Sequence, residues 1–184
     1  MGFICVGGFG ARSVRLTLHV IAIILAANII FLTAFYLSNI NVRSFPTNQT
    51  FQLECLLDGY SGQNSYTICT LTYLLSAASI LFSIFIIVLI LLTFFRLYIS
   101  DAVDVIVSGI LTVIWLAAAI VVTIFVVEAN QRNFIRRRTR NLVVLLFYGV
   151  FATYLANMIT AIITWVGRRR GKGRGEVVEE VTYA

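Results

Sequence analysis

The sequence is poor in the residues from which most active sites are made. It has one histidine, so a bis-histidine haem site within the chain is excluded and no histidine cluster exists to hold zinc or copper. P-loop, nucleophile-elbow, HExxH and CxxC patterns are all missing. Ser, Thr and Tyr are plentiful in the apolar runs, but no candidate base or acid pair stands beside them, so they read as packing residues and no enzymatic role is expected. Charge is scarce as well. Asp, Glu, Lys and Arg make up 12% of the chain and proline occurs once, against 60% hydrophobic residues and a mean hydropathy of +0.95. No ordinary soluble domain has that balance.

What the sequence holds instead is apolar sequence of lipid-crossing length. Leu16 to Leu37, Leu71 to Phe95, Val105 to Val127 and Leu142 to Val166 each supply roughly 20 or more residues, enough to cross a hydrocarbon core of about 30 Å as helix. The expected fold class is an all-α membrane protein, an antiparallel four-helix transmembrane bundle over 16–166. The first run has full span length and ends in aromatic and polar residues, so it reads as a retained helix that doubles as the insertion signal. Gly2 follows Met1, but Val6 stands where a myristoylation motif needs Ser or Thr.

The three cysteines divide unevenly. Cys55 and Cys69 lie in the segment 38–70, which suggests one disulfide closing the first extracellular or lumenal loop on an oxidising side. Cys5 stands alone in the N-terminal arm, 1–15, as a candidate for palmitoylation or as a bystander. Asn48-Gln49-Thr50 is a glycosylation sequon in the same segment as the cysteine pair. Together these signals put 38–70 outside the cytoplasm and both termini inside, in a plasma-membrane or secretory or endocytic vesicle protein. The basic residues favour that orientation by only eight to six. Arg12, Arg15, Arg96, Arg168, Arg169, Arg170, Lys172 and Arg174 fall inside, and Arg43, Arg132, Arg136, Arg137, Arg138 and Arg140 fall outside.

The stretch CLLDGYSGQNSYTIC is rich in Gly, Ser and Asn, as a closed loop would be. A disulfide across it would remove roughly 3 kcal/mol of loop entropy from the unfolded chain. Between the second and third runs the polar residues reduce to Arg96, Ser100 and Asp101, which predicts a tight antiparallel hairpin. The third and fourth runs are joined by 128–141, EANQRNFIRRRTRN. Its Arg132, Arg136, Arg137, Arg138 and Arg140 read either as a cationic patch for acidic groups of a partner, glycan or lipid headgroup, or as a solvated loop that happens to be basic. It lacks the interleaved aromatics of a stacking platform, so no nucleic-acid partner is expected. In the tail, 167–184, the basic residues Arg168, Arg169, Arg170, Lys172 and Arg174 face anionic inner-leaflet lipid at about 1 kcal/mol each, and the segment is expected to be disordered.

Within the spans, small and hydroxylated residues recur at three or four: Ala22 and Ala26; Ser76, Ser79 and Ser83; Ser108 and Thr112; Ala152, Ala156, Thr160 and Thr164. Each set shares a helix face and predicts close packing there. Asn28 and Asn157 fall near the middle of the first and fourth spans, where a carboxamide facing lipid is costly, so both are expected to point inward. Neither has an ionisable neighbour at the same depth in this reading, which favours gluing helices together over transport. His19, one turn into the first span, reads as an interfacial side chain.

An acid at the start of the third span, then small residues, Trp115 and a run of alanines make up DVIVSGILTVIWLAAA. With the arginine at the start of the first span, ARSVRLTLHVIAIILAANIIF, and the ending ITWVGRRR of the fourth, this segment resembles the MARVEL-domain tetraspans: myelin-and-lymphocyte proteins, physins and gyrins, occludin, eisosome-associated proteins and the Casparian-strip relatives. The resemblance spans most of Leu16 to Arg170. It implies cytoplasmic ends, a four-helix bundle and work in membrane apposition, vesicle traffic, sterol-rich microdomains or junction-like scaffolds. The claudin signature is absent, since FQLECLLDGYSGQNSYTIC has no Trp. Connexin-type channels need cysteines in both outer loops, and the second here has none.

Asp104 has three readings. Asp101 and Asp104 favour the positive end of the third helix by roughly 0.3 to 1 kcal/mol each. By the family resemblance, Asp104 also pairs with Arg15 at the same membrane face. The third reading is a proton or cation site. From Asp104 to Val127 is about 36 Å of helix, which puts Asp104 near the headgroup boundary and favours the ion pair. The expected function is a membrane-organising scaffold whose partners are membrane lipids and other membrane proteins, in a homo-oligomer or heteromeric complex. No cofactor is expected, although lipid or sterol could bind. The alternative is a channel or transporter component or accessory subunit.

Overall fold

The computed structural model describes the backbone of residues 6–43, 50–57, 66–93, 101–131 and 136–182, and within these the side chains of 13–38, 55–57, 68–91, 105–131 and 136–167. Almost all of it is helical. Helix α1 is Val6–Leu32 and passes into a π-helical turn, Thr33–Leu37. Strands β1, Ser38–Arg43, and β2, Thr50–Cys55, pair antiparallel, with Ser38 opposite Cys55 and Arg43 opposite Thr50. Helix α2 is Tyr66–Thr93, α3 is Asp101–Gln131 and α4 is Arg137–Thr182. Ser13–Leu37, Ile68–Leu91, Val105–Gln131 and Arg137–Gly167 are each long and apolar enough to cross a membrane. The chain is a multi-pass membrane protein.

The buried faces alternate spacings of three and four. They read Arg15, His19, Ala22, Ala26 and Ile29 on α1, and Cys69, Thr72, Ser76, Ser79, Ser83, Ile86 and Ile90 on α2. On α3 they are Ser108, Thr112, Trp115, Ala119, Val122, Val126 and Ala129, and on α4 Arg140, Val143, Phe147, Val150, Tyr154, Asn157 and Ala161. A repeat averaging 3.5 is the seam of left-handed helix packing. The opposite faces expose Ile24, Leu74, Leu81, Val113, Leu145 and Ile163, a surface suited to lipid.

α1 packs on α2 and α4, and α4 packs on α3, whereas α2 and α3 meet at only a few positions. Residues 94–100, where the expected tight hairpin of the second and third spans would turn, lie outside the described residues. Large side chains fill the helix seams: Trp115 is fully buried against Phe147, with ring centroids 5.2 Å apart, and Tyr154 reaches from α4 to α2. The small-residue stripes of α1, α2 and α3 are buried. That of α4 is misassigned, because Ala152 is exposed and Ala156, Thr160 and Thr164 are half-buried. A tighter fit is made at Gly149, where an added Cβ would meet Leu25 Cδ1 at 3.4 Å.

Three boundaries also differ from expectation. β1 and β2 occupy part of what reads as loop in the sequence. Residues 128–131 and 137–141 of the expected basic loop are helical. The backbone of α4 stays helical to Thr182, where a disordered tail is expected. No proline interrupts its ladder, although Gly167, Gly171, Gly173 and Gly175 each weaken it by about 1 kcal/mol.

Candidate functional site

Polar side chains gather in two layers, one at the hairpin end of the helices and one toward the far end. The last carbonyls of α1 and its π turn have no partners within the helix and need others. Ala34 O accepts from Ser38 Oγ at 2.9 Å, and Leu37 O accepts from Leu56 N–H at 2.7 Å. Tyr36 O accepts from the Arg136 guanidinium, which also lies 5.8 Å from the Tyr36 ring centroid. A cation at a helix C-terminus is favourable in both dipole and hydrogen-bond terms. Tyr73 OH donates to Ser38 Oγ at 3.3 Å and so brings α2 into the same joint.

Arg136 holds this position with φ of 65°, in the left-handed region that non-glycine residues avoid by roughly 1–2 kcal/mol. Its carbonyl accepts from Arg140 N–H at 3.2 Å. Arg140 is fully buried, and its Nε and Nη2 donate to Asn130 Oδ1 at 3.1 and 2.8 Å. Asn130 Nδ2 in turn donates to Asn141 Oδ1 at 2.9 Å. The sequence reading treats these arginines as one group. The structure separates them into a clamp, Arg136, a buried tie between α3 and α4, Arg140, and two exposed residues, Arg137 and Arg138. Beside this layer, Cys55 and Cys69 have their sulfurs 2.02 Å apart, at disulfide distance, over buried Leu37, Leu56, Leu57 and Ile68.

The layer toward the far end is built on a carboxamide, an imidazole and hydroxyls. Asn157 is buried, and its Nδ2 donates to Ser108 Oγ at 2.7 Å and contacts His19 Nε2 at 3.2 Å. A carboxamide nitrogen only donates, so in this arrangement His19 Nε2 is the acceptor. Tyr154 OH shares hydrogen bonds with Ser79 Oγ at 2.7 Å and Ser83 Oγ at 2.8 Å, and its ring meets His19 edge-on at 6.3 Å. α4 is the hub, reaching α1 and α3 through Asn157 and α2 through Tyr154. Arg15, one turn before His19 on the same face, is buried.

Two expectations are corrected here. His19 is an interior side chain, and it gives Asn157 an ionisable neighbour. Asn28 does not point inward: it is exposed, and its Nδ2 donates to Ile24 O at 2.8 Å. That bond to its own helix satisfies one N–H without a neighbouring helix. The expectation does hold for Asn157. Tyr154 was signalled only by its place in the 3.5 repeat with Phe147 and Asn157, which the small-residue pattern of α4 obscures. Cys5, Asn48 and Arg132 lie outside the described residues, as do the side chains of Asp104, Arg168, Arg169, Arg170, Lys172 and Arg174. Among the described residues, no group of His, Cys, Asp and Glu is placed to hold a metal ion. No family model, curated protein or solved structure matches this chain.

Proposed function

We propose that this chain is a non-enzymatic, MARVEL-like tetraspan that organises membrane through lateral and loop-mediated contacts. In this reading the four spans form an antiparallel bundle with both termini cytoplasmic. The hairpin end, closed by a Cys55–Cys69 disulfide, faces the lumen or exterior. The observation that carries the reading is the bonding of the interior: Asn157, Tyr154, Arg140 and Asn130 bond to other side chains, so they tie helices into a rigid body. The hairpin, fixed to α1 and α2, then serves as a stiff contact surface. Crosslinking in native membrane with identification of neighbours tests this, and recovery of no membrane-protein neighbour would overturn it.

The Arg15–Asp104 pair belongs to the same proposal, as a latch between α1 and α3 at the cytoplasmic rim. Reversing either charge should impair folding or surface delivery, and reversing both should restore it. A double variant as defective as the worse single one would refute the pair.

One observation favours a second reading, as a channel or transport component: His19 sits beside Asn157 within the spans. Reconstitution of the purified protein separates the two. The scaffold reading expects no ion or solute flux, and robust flux that is lost in His19→Leu would replace it with transport.

A further inference from the structure

α1 carries a second seam opposite its buried one. Thr17, Ile21, Ile24, Asn28 and Phe31 are all exposed and follow one another at alternating spacings of four and three. Asn28 is out of place among them. It lies about 20 Å of helix from Arg15 and about 12 Å from Tyr36, well inside the span Ser13–Leu37. One of its N–H groups is bound to Ile24 O. Its other N–H and its Oδ1 have no partner among the described residues, and hydrocarbon supplies neither donor nor acceptor. The hydroxyls of Thr17 and Thr123 have one donor each and direct it at their own backbone, at 3.0 and 2.6 Å, so they leave no N–H or O–H over.

We propose that this face of α1 is a self-association surface, on which two copies pack α1 against α1 and each Asn28 donates its remaining N–H to the Oδ1 of the other. A carboxamide is its own complement, holding a donor and an acceptor side by side. A two-fold axis sets a residue against itself, so a second copy delivers that complement without any further residue. The 3.5-residue repeat keeps two helices in contact along their length, and a single polar residue in such a seam fixes register and partner number. Ile21 and Ile24 on one side and Phe31 on the other, half or nearly half exposed, supply the apolar contacts. The proposal deepens the scaffold reading by naming a second copy as the lateral partner.

The test uses the full chain with Cys5→Ser, reconstituted in phosphatidylcholine vesicles. Energy transfer between donor- and acceptor-labelled copies is followed as the protein is diluted in lipid. Asn28→Leu should weaken association about tenfold, the scale of one intramembrane polar contact, and Asn28→Gln should retain most of it. Ile24→Cys should form crosslinked dimers, and Val113→Cys, exposed on α3, should not. Unchanged association of Asn28→Leu, a wild-type chain that stays monomeric at every density, or equal crosslinking from Val113→Cys would overturn the proposal. Flux from the same vesicles would refute the scaffold reading and leave this result standing, so the two failures are distinguishable.

Discussion

The hairpin-end layer and the far layer solve the same problem with different chemistry. At the hairpin end a guanidinium bonds to a helix carbonyl and another to a carboxamide, at the first turn of α4. Toward the far end the bonded groups are an imidazole, a carboxamide and four hydroxyls. The two layers are about 26 Å apart along α4, from Arg140 to Asn157. Between them the seam is lined by Ala119, Val122, Phe147 and Val150. A delocalised, weakly hydrated guanidinium tolerates burial near the end of a span, as at Arg140 and Arg15. The difference teaches that bonds from charged donors hold the hairpin end of the helices, while carboxamide, imidazole and hydroxyl groups bonded to one another hold the other layer.

The contrast can be broken from its strongest point. Arg140→Met should lose about 3 kcal/mol, since two bonds from a charged donor vanish and the half-buried Asn130 Oδ1 loses its donor. Reversible unfolding in mixed micelles measures it, and a loss below about 1 kcal/mol would equalise the layers. Next, Asn157→Leu should cost about 1–2 kcal/mol in the same assay, because intramembrane hydrogen bonds are individually modest. Tyr154→Phe should follow at about 1 kcal/mol, with the loss confined to α2 docking and read by crosslinking α2 to α4. The smallest effect sharpens the picture of the rim. Arg136→Gly should be more stable than Arg136→Ala by about 1 kcal/mol, because both lose the clamp but only alanine keeps the left-handed strain. An alanine variant at least as stable as the glycine variant would mean that the left-handed backbone costs nothing there.

The spans were legible in the sequence because length and apolarity are local properties. Which face of each span points inward was legible on α1, α2 and α3, where small residues mark close approach. On α4 the same rule picks Ala152, which faces outward, because the interior is wide there and needs Phe147 and Tyr154 to fill it. The strands were missed because SNINVR alternates too weakly to stand out beside sixty per cent hydrophobic sequence. Asn28 and His19 were misread for one reason. Depth and side-chain direction depend on which helices become neighbours, and no local pattern encodes that α4 would bring Asn157 to His19. Of the polar layers, Asn157 and Ser108 could be proposed from sequence alone. The split of one arginine run into clamp, buried tie and exposed pair could not.

The π turn at Thr33–Leu37 has a consequence for how the loop is aimed. A π turn is equivalent to one residue inserted into an α-helix, so it retards the angular phase of everything that follows. Removing a single residue within Thr33–Leu37 would let the turn relax to ordinary α-helix and absorb most of the change. Removing one from α1 ahead of the turn, with the turn kept, would instead swing Ser38 round the axis by about 100°. Ser38 would then no longer face Cys55, and the strands would have to re-index or come apart. The bearing of the hairpin is thus set by a counting device at the end of the first span, and a length change of one residue would redirect it without altering any residue on it.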